Sequence, residues 1–189
     1  MKQRFLILAA IALFSIATLS STSRADDSFD FRFSPLGLLI GGIDVSLDVA
    51  VSPQWTLGPE LSYTHLAVGG SSSDFSLKGY SAGVRGNWFH NGVFKSGLYL
   101  APAIHIRDIA VAYTATDGTT STGKLTGPSA SFIVGYGWFW DSFNILLGGG
   151  LESQIGKSSI TVVDNKGTSH TDSAAGTSLI GEFSLGWTF

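Results

Sequence analysis

The sequence predicts an all-β fold, an eight-stranded antiparallel transmembrane β-barrel wound as an up-and-down meander. Three observations carry this. Leu179, Phe183, Leu185, Trp187 and Phe189 alternate with Ile180, Glu182, Ser184, Gly186 and Thr188, and the chain stops on Phe189. Period-2 alternation over about ten residues gives a strand with one apolar face, the length a barrel strand needs to cross a bilayer. Along the chain, tight connections alternate with longer polar ones, as the two ends of a membrane barrel require. All five Trp lie near a tight connection or the C-terminus.

The first 25 residues are read as a cleaved signal peptide, leaving 26–189 as one barrel domain. Lys2 and Arg4 precede the apolar run Phe5 to Phe14, and Ser23-Arg24-Ala25 offers a small-x-small cleavage site. The alternative, an uncleaved anchor, has an apolar stretch that is short for a spanning helix and fades into Ser and Thr. Removing this segment leaves eight Lys/Arg (11 − 3) against fourteen Asp/Glu, a net charge of −6. Nucleic acid is therefore not an expected partner, because phosphate binding needs clustered basic charge. With no Cys in the chain, disulfides and thiolate metal sites are excluded.

Strands follow from the punctuation. Ser52-Pro53-Gln54, His90-Asn91-Gly92 and Asp141-Ser142 are the tight turns; Val68 to Ser76, Thr114 to Thr126 and Gly156 to Gly176 are the long connections. Between them lie Trp55 to Ala67, Leu77 to Phe89, Phe94 to Tyr113, Gly127 to Trp140, Phe143 to Ile155 and Thr177 to Phe189. Phe29 to Ser52 is too long for one crossing. Gly41-Gly42 in its middle suits a two-residue hairpin, which needs positive φ. The split gives strands Phe29 to Ile40 and Ile43 to Val51, eight in all, with both termini on the tight-turn side. Pro35 is expected to mark a bulge in the first strand, where the inward-outward parity shifts.

Trp55, Trp88, Trp138, Trp140 and Trp187 are read as an aromatic girdle at one membrane interface, with Tyr63, Tyr80 and Tyr113 forming a thinner one opposite. Ile43, Val45, Leu47, Val49 and Val51, then Leu98, Leu100, Ile104 and Ile106, then Phe132, Val134, Tyr136 and Trp138, and Ile145, Leu147 and Leu151 form the lipid-facing side. The opposite face carries small residues and a few charges, so it cannot make a dry core. Asp44, Asp48, Glu60, Arg85, His105, Arg107, Glu152 and Glu182 are expected to point into the lumen as a paired polar network. An eight-stranded lumen is just wide enough to be filled by side chains, and buried charges must pair. The sharper reading of these residues is a gated conduit or a small-ligand site, in which the excess of acids favours cations.

No catalytic residues, cofactor or metal are expected. Ser169-His170-Thr171-Asp172 gathers hydrolytic residue types inside a polar loop, where solvated side chains are the ordinary case. The four His have no metal-ligand spacing, and Gly148-Gly149-Gly150 lies in a strand and opens no helix. Those glycines leave room for a bulky interior neighbour. Two long connections read as hairpins continuing past the membrane, 109–125 and 158–173, the second turning at Asp164-Asn165-Lys166-Gly167. Their exposed sheet edges suit an extracellular partner that adds a strand.

With its leader, eight alternating segments, aromatic girdle and terminal Trp187-Thr188-Phe189, the chain resembles the small outer-membrane barrels of the OmpA-domain and OmpX type. Phe33-Ser34-Pro35-Leu36-Gly37-Leu38 followed by Leu57-Gly58-Pro59-Glu60-Leu61 is also similar to an uncharacterised group of small bacterial barrels. The resemblance implies a Gram-negative outer membrane with periplasmic termini, and Phe189 as the signal read by the insertion machinery. It also implies contact with outer-membrane lipid and lipopolysaccharide. Lipid A-modifying members of the superfamily carry a Ser/His/acid set at the outer edge; no matching set is present here. The expectation is a monomeric, non-enzymatic surface-interaction protein, followed by a narrow conduit and then by a lipid-modifying enzyme.

Overall fold

The computed structural model describes residues 28–39, 41–69, 74–114, 120–155, 158–163, 169–174 and 176–189. The expected leader and the turns at Asp117-Gly118 and Asp164 to Gly167 lie outside the described residues. Ten strands and one short helix follow in order. They are β1 (Phe29–Phe33), α1 (Pro35–Leu39), β2 (Gly42–Ala50), β3 (Trp55–Gly69), β4 (Asp74–Phe89) and β5 (Gly97–Thr114). Then come β6 (Thr120–Trp140), β7 (Phe143–Gln154), β8 (Ser158–Val163), β9 (Ser169–Ala174) and β10 (Thr177–Thr188).

Each of β1 to β6 pairs antiparallel with the next in sequence, β7 pairs with β10, and β10 returns to β1. This closes an eight-stranded meander barrel. Closure gives every barrel strand a neighbour on both sides, which is what permits a sheet in hydrocarbon. The last residue takes part: Phe189 N–H donates to the Phe29 carbonyl at 2.9 Å, Phe29 N–H donates to the Phe189 carbonyl at 3.0 Å, and their rings stack.

The polarity is that of a membrane barrel. Ile43, Leu98, Ile104, Ile106, Phe132, Val134, Leu147 and Leu151 all face outward and are exposed. The buried residues on the inner side include Asp30, Arg32, Asp48, Arg85, Asn87, His105 and Glu152. A water-soluble barrel would have the reverse arrangement. The five Trp gather at the tight-turn end. Trp55 pairs with Trp88, Trp140 pairs with Phe143, and Trp187 lies 5.4 Å from Phe143. At the opposite end Tyr63 and Tyr80 are cross-strand partners with rings 5.0 Å apart.

Three expectations about strands and connections are corrected. Phe29 to Ile40 is not one strand with a bulge. β1 stops at Phe33, and Pro35 begins α1, because a proline in the first helical turn needs no N–H and its fixed φ suits the helix. The chain reaches β2 through α1 and Gly41, at φ 77°, and not through a two-residue Gly41-Gly42 hairpin. The turn at His90-Asn91-Gly92 is longer than expected. Residues 90–96 form the whole connection, with Phe94 at φ 57° and Val93 N–H donating to the Pro53 carbonyl at 2.9 Å. The other two tight turns stand as expected. Asp141, at φ 47°, and Ser142 alone join β6 to β7.

The expected outer hairpins are present, and they are joined. β5 and β6 stay paired as far as Thr114 with Thr120. β6 pairs with β7 only from Ser129 onward; nearer the long connections, Thr122 to Thr126 pair on that same edge with β8, which pairs with β9. β5, β6, β8 and β9 therefore make one sheet that continues past the end of β7.

Candidate functional site

The lumen holds the chemistry, and an apolar cluster fills part of it. Phe89, Tyr99, Ala101, Ile133 and Leu146 form a buried apolar cluster near the tight turns, with Val93, Phe139 and Ile180 packed on it. Gly135 and Gly148 make this packing possible. A Cβ on either would stand 2.5 Å from the Tyr99 side chain, so the tyrosine lies flat against bare backbone on β6 and β7. The room expected from the glycine triplet is used in this way.

Beside this cluster runs a continuous polar chain that crosses the barrel. Asn144 on β7 donates to Asp30 on β1 at 2.7 Å. Arg32 lies 3.4 Å from Asp30 through Nε and pairs with Asp48 through Nη2. Asn87 donates to Asp48 at 2.9 Å and to Thr56 at 3.0 Å. Arg85 Nε donates to Asn87 at 2.8 Å, and its Nη2 donates to Glu182 at 2.6 Å. Tyr99 OH donates to the same Glu182 oxygen at 2.7 Å, while Ser184 donates to the other at 3.2 Å. In the circular strand order β4 and β10 stand opposite each other, so the Arg85–Glu182 pair ties the two sides of the lumen together.

The remaining expected residues form separate groups nearer the long-connection end. His105 Nε2 lies 3.3 Å from Glu60, reaching over Gly83 of β4, where a Cβ would collide with the imidazole. Arg107 pairs with Glu152 at 2.6 Å across β6. The Asp44 carboxylate makes no hydrogen bond or ion pair with any described residue; it faces a cavity of about 170 Å³ that Glu60, Arg85, His105 and Glu182 also line. The eight residues named from sequence thus all face the lumen, seven within ion pairs and Asp44 alone. Two charged members were missed, Asp30 and Arg32, together with Asn87, Tyr99 and Asn144. The signal for the charged pair was present: Phe29, Phe31 and Phe33 alternate outward against Asp30 and Arg32.

Acids outnumber bases in this arrangement. Six inward carboxylates (Asp30, Asp44, Asp48, Glu60, Glu152 and Glu182) face three guanidiniums (Arg32, Arg85 and Arg107), an excess of three acids. Among the described residues no group of His, Asp and Glu has the geometry to hold a metal.

Two solved structures are similar to this chain. A major outer membrane protein from Thermus thermophilus shares 10% identity over 85% of this chain and 99% of that one, with a TM-score of 0.53. CarO from Acinetobacter baumannii shares 11% identity over 89% of this chain and 99% of that one, with a TM-score of 0.53. No protein-family model matches the sequence, and no curated protein is detectably similar to it in sequence. What the chain shares with the two structures is the fold, a closed eight-stranded antiparallel barrel.

Proposed function

We propose that the protein is an integral outer-membrane barrel of the small OmpX-like kind, with periplasmic termini, that works through the sheet it raises above the membrane. The observation carrying this is the seat of the β8–β9 hairpin on β6. A loop with no task beyond connecting β7 to β10 needs a few residues. Here the connection is folded into strands and fastened to the β5–β6 hairpin, which rigidifies a surface of two joined hairpins, 109–125 and 158–173. Ordered strands with a free outer edge suit contact with a partner, such as lipopolysaccharide, a host surface or another cell. On this reading Phe189 serves the insertion machinery as the terminal aromatic of β10, and the chain is a monomer without catalytic activity.

The filled lumen supports a contact role over a conduit. The apolar cluster at Phe89, Tyr99 and Leu146 occupies the lumen near the tight turns, and the Arg85–Glu182 pair crosses the lumen beside it.

Deleting 158–173 on the surface of an expressing cell tests the proposal. The barrel should still insert and still show heat-modifiable migration, while adhesion to lipopolysaccharide-coated and host-cell surfaces should fall to the level of cells lacking the protein. Unchanged adhesion would refute the role. Planar-bilayer recordings separate the conduit reading: steady conductance above that of bare lipid would favour it. Lipid mass spectra that change on expression would favour the enzyme.

A further inference from the structure

The barrel wall has a gap. β10 pairs with β7 along Thr177 to Trp187, but with β1 only along Leu185 to Thr188, opposite Phe33 to Asp30. Above Phe33 the chain turns into α1, which packs against β2 and β10 without forming a described backbone hydrogen bond to β10. In an antiparallel strand every second residue aims both its N–H and its C=O at the same neighbour. The stretch Thr177 to Ser184 therefore carries a row of backbone groups with no ladder partner on the β1 side. A strand climbs about 2.6 Å along the membrane normal per residue, taking ~3.4 Å rise and a tilt near 40°. Ser184 then stands about 8 Å and Leu179 about 21 Å above the Trp187 belt, within a hydrocarbon band about 25 Å tall. Unpaired backbone at that depth is tolerated only where it lines a polar or water-filled space.

Such a space is present. The cavity at Asp44 is lined by Gly181, Glu182, Phe183 and Ser184 in succession. Glu182 and Ser184 point inward, whereas Gly181 and Phe183 belong to the outward face. On β2 to β6 the cavity touches inward residues alone, so its contact with both parities of β10 brings it to that strand's free edge. Nothing lies within 4 Å of where a Gly181 Cβ would be.

We propose that the seam between α1 and β10 is a lateral entrance from the bilayer to the lumen cavity, and that it admits a single-chain amphiphile with a cationic amine head. The head would sit on Asp44. Every arginine lining the cavity is already engaged: Arg32 with Asp30 and Asp48, Arg85 with Glu182, Arg107 with Glu152; His105 is engaged with Glu60. Asp44 is the lining charge without a counter-ion among the described residues. A volume near 170 Å³ matches the head and first few methylenes, since ~150 Å³ suffices for a benzene ring. The rest of the chain passes out between Phe33 and Phe183 to lie with the lipid, under the exposed leucines Leu36 and Leu38 of α1.

This inference rests on the membrane reading above, and its test keeps the two apart. The full barrel is placed in phosphatidylcholine nanodiscs, where heat-modifiable migration reports the fold and membrane insertion. Binding of dodecylamine, dodecanol and dodecanoate is then compared by calorimetry. Dodecylamine should bind at least tenfold more tightly than the other two, and Asp44→Asn should remove that preference while migration is unchanged. Ser34→Cys with Ser184→Cys joins the next pair in the β1–β10 register in a chain that has no other cysteine. When oxidised it should lower amine affinity at least tenfold, and reduction should restore it. Equal binding of all three probes, stronger binding of dodecanoate, or indifference to both variants would overturn the proposal even with the barrel intact.

Discussion

Arg85→Ala is the sharpest test of what holds the lumen together. The guanidinium is 5% exposed and donates to Asn87 at 2.8 Å and to Glu182 at 2.6 Å. Its removal leaves Glu182 held only by Tyr99 and Ser184, and leaves the Asn87 carbonyl oxygen unpaired. Breaking one side of a buried ion pair costs about 3–5 kcal/mol, because the surviving charge keeps its desolvation penalty. Replacing both partners by apolar groups of similar size is often close to neutral. Arg85→Met combined with Glu182→Leu should therefore recover most of the loss, giving a coupling energy of about 2 kcal/mol or more. Equilibrium unfolding in urea with phosphatidylcholine vesicles measures this, using Trp fluorescence and gel migration as probes. A cost below about 1 kcal/mol for the single variant, or two single costs that simply add, would refute the claim that this pair ties β4 to β10.

Three further outcomes follow from the same geometry. Tyr99→Phe removes one donor from a buried carboxylate and should cost about 1–3 kcal/mol in the same unfolding assay, with the barrel still closed. Gly135→Val places a side chain where the Tyr99 ring lies, 2.5 Å from the ideal Cβ. It should destabilise by at least the ~1–3 kcal/mol of ordinary overpacking, and Gly135→Val with Tyr99→Ala should recover part of that loss. Leu147 faces outward at 52% exposure, four residues from the Trp140–Phe143 belt. Leu147→Arg should therefore cost about 2–4 kcal/mol in vesicles, whereas Leu147→Ile should be silent; a silent Arg would place this face in water.

How much of this could be read from sequence depends on how local each cause is. The outward rows at Ile43 to Val51 and Leu98 to Ile106 were legible because period-2 alternation survives any register. The girdle was legible because Trp sorts by depth and not by partner. Pro35 was ambiguous: a proline fits a bulge or a first helical turn equally well in sequence, and what decides is the packing of α1 against β2 and β10. The pairing partners were not legible. That Arg85 meets Glu182, 97 positions away, depends on strand stagger around the closed barrel, which alternation does not encode. The seat of β8 on β6 was hidden for a similar reason, since it requires β7 to end while β6 continues. Asp44 read as one more member of a network, because nothing local distinguishes a paired carboxylate from an unpaired one.

These causes divide the barrel into unequal halves. Toward the tight turns all eight strands are paired on both sides, the core is apolar at Phe89 and Leu146, and Asp30, Arg32, Asp48 and Asn87 are held by two or more partners each. Toward the long connections β1 is absent, the ion pairs His105–Glu60 and Arg107–Glu152 stand apart, and the Asp44 carboxylate has no partner among the described residues. Local opening draws on elements with few buried contacts and few backbone bonds. The inner half therefore sets the global stability, and α1 with the upper part of β10 is the place where the wall can yield without unfolding the barrel. The turn into α1, opened by Pro35 and fixed by packing on β2 and β10, creates that inequality. It shortens one strand of eight and leaves the wall open at the side.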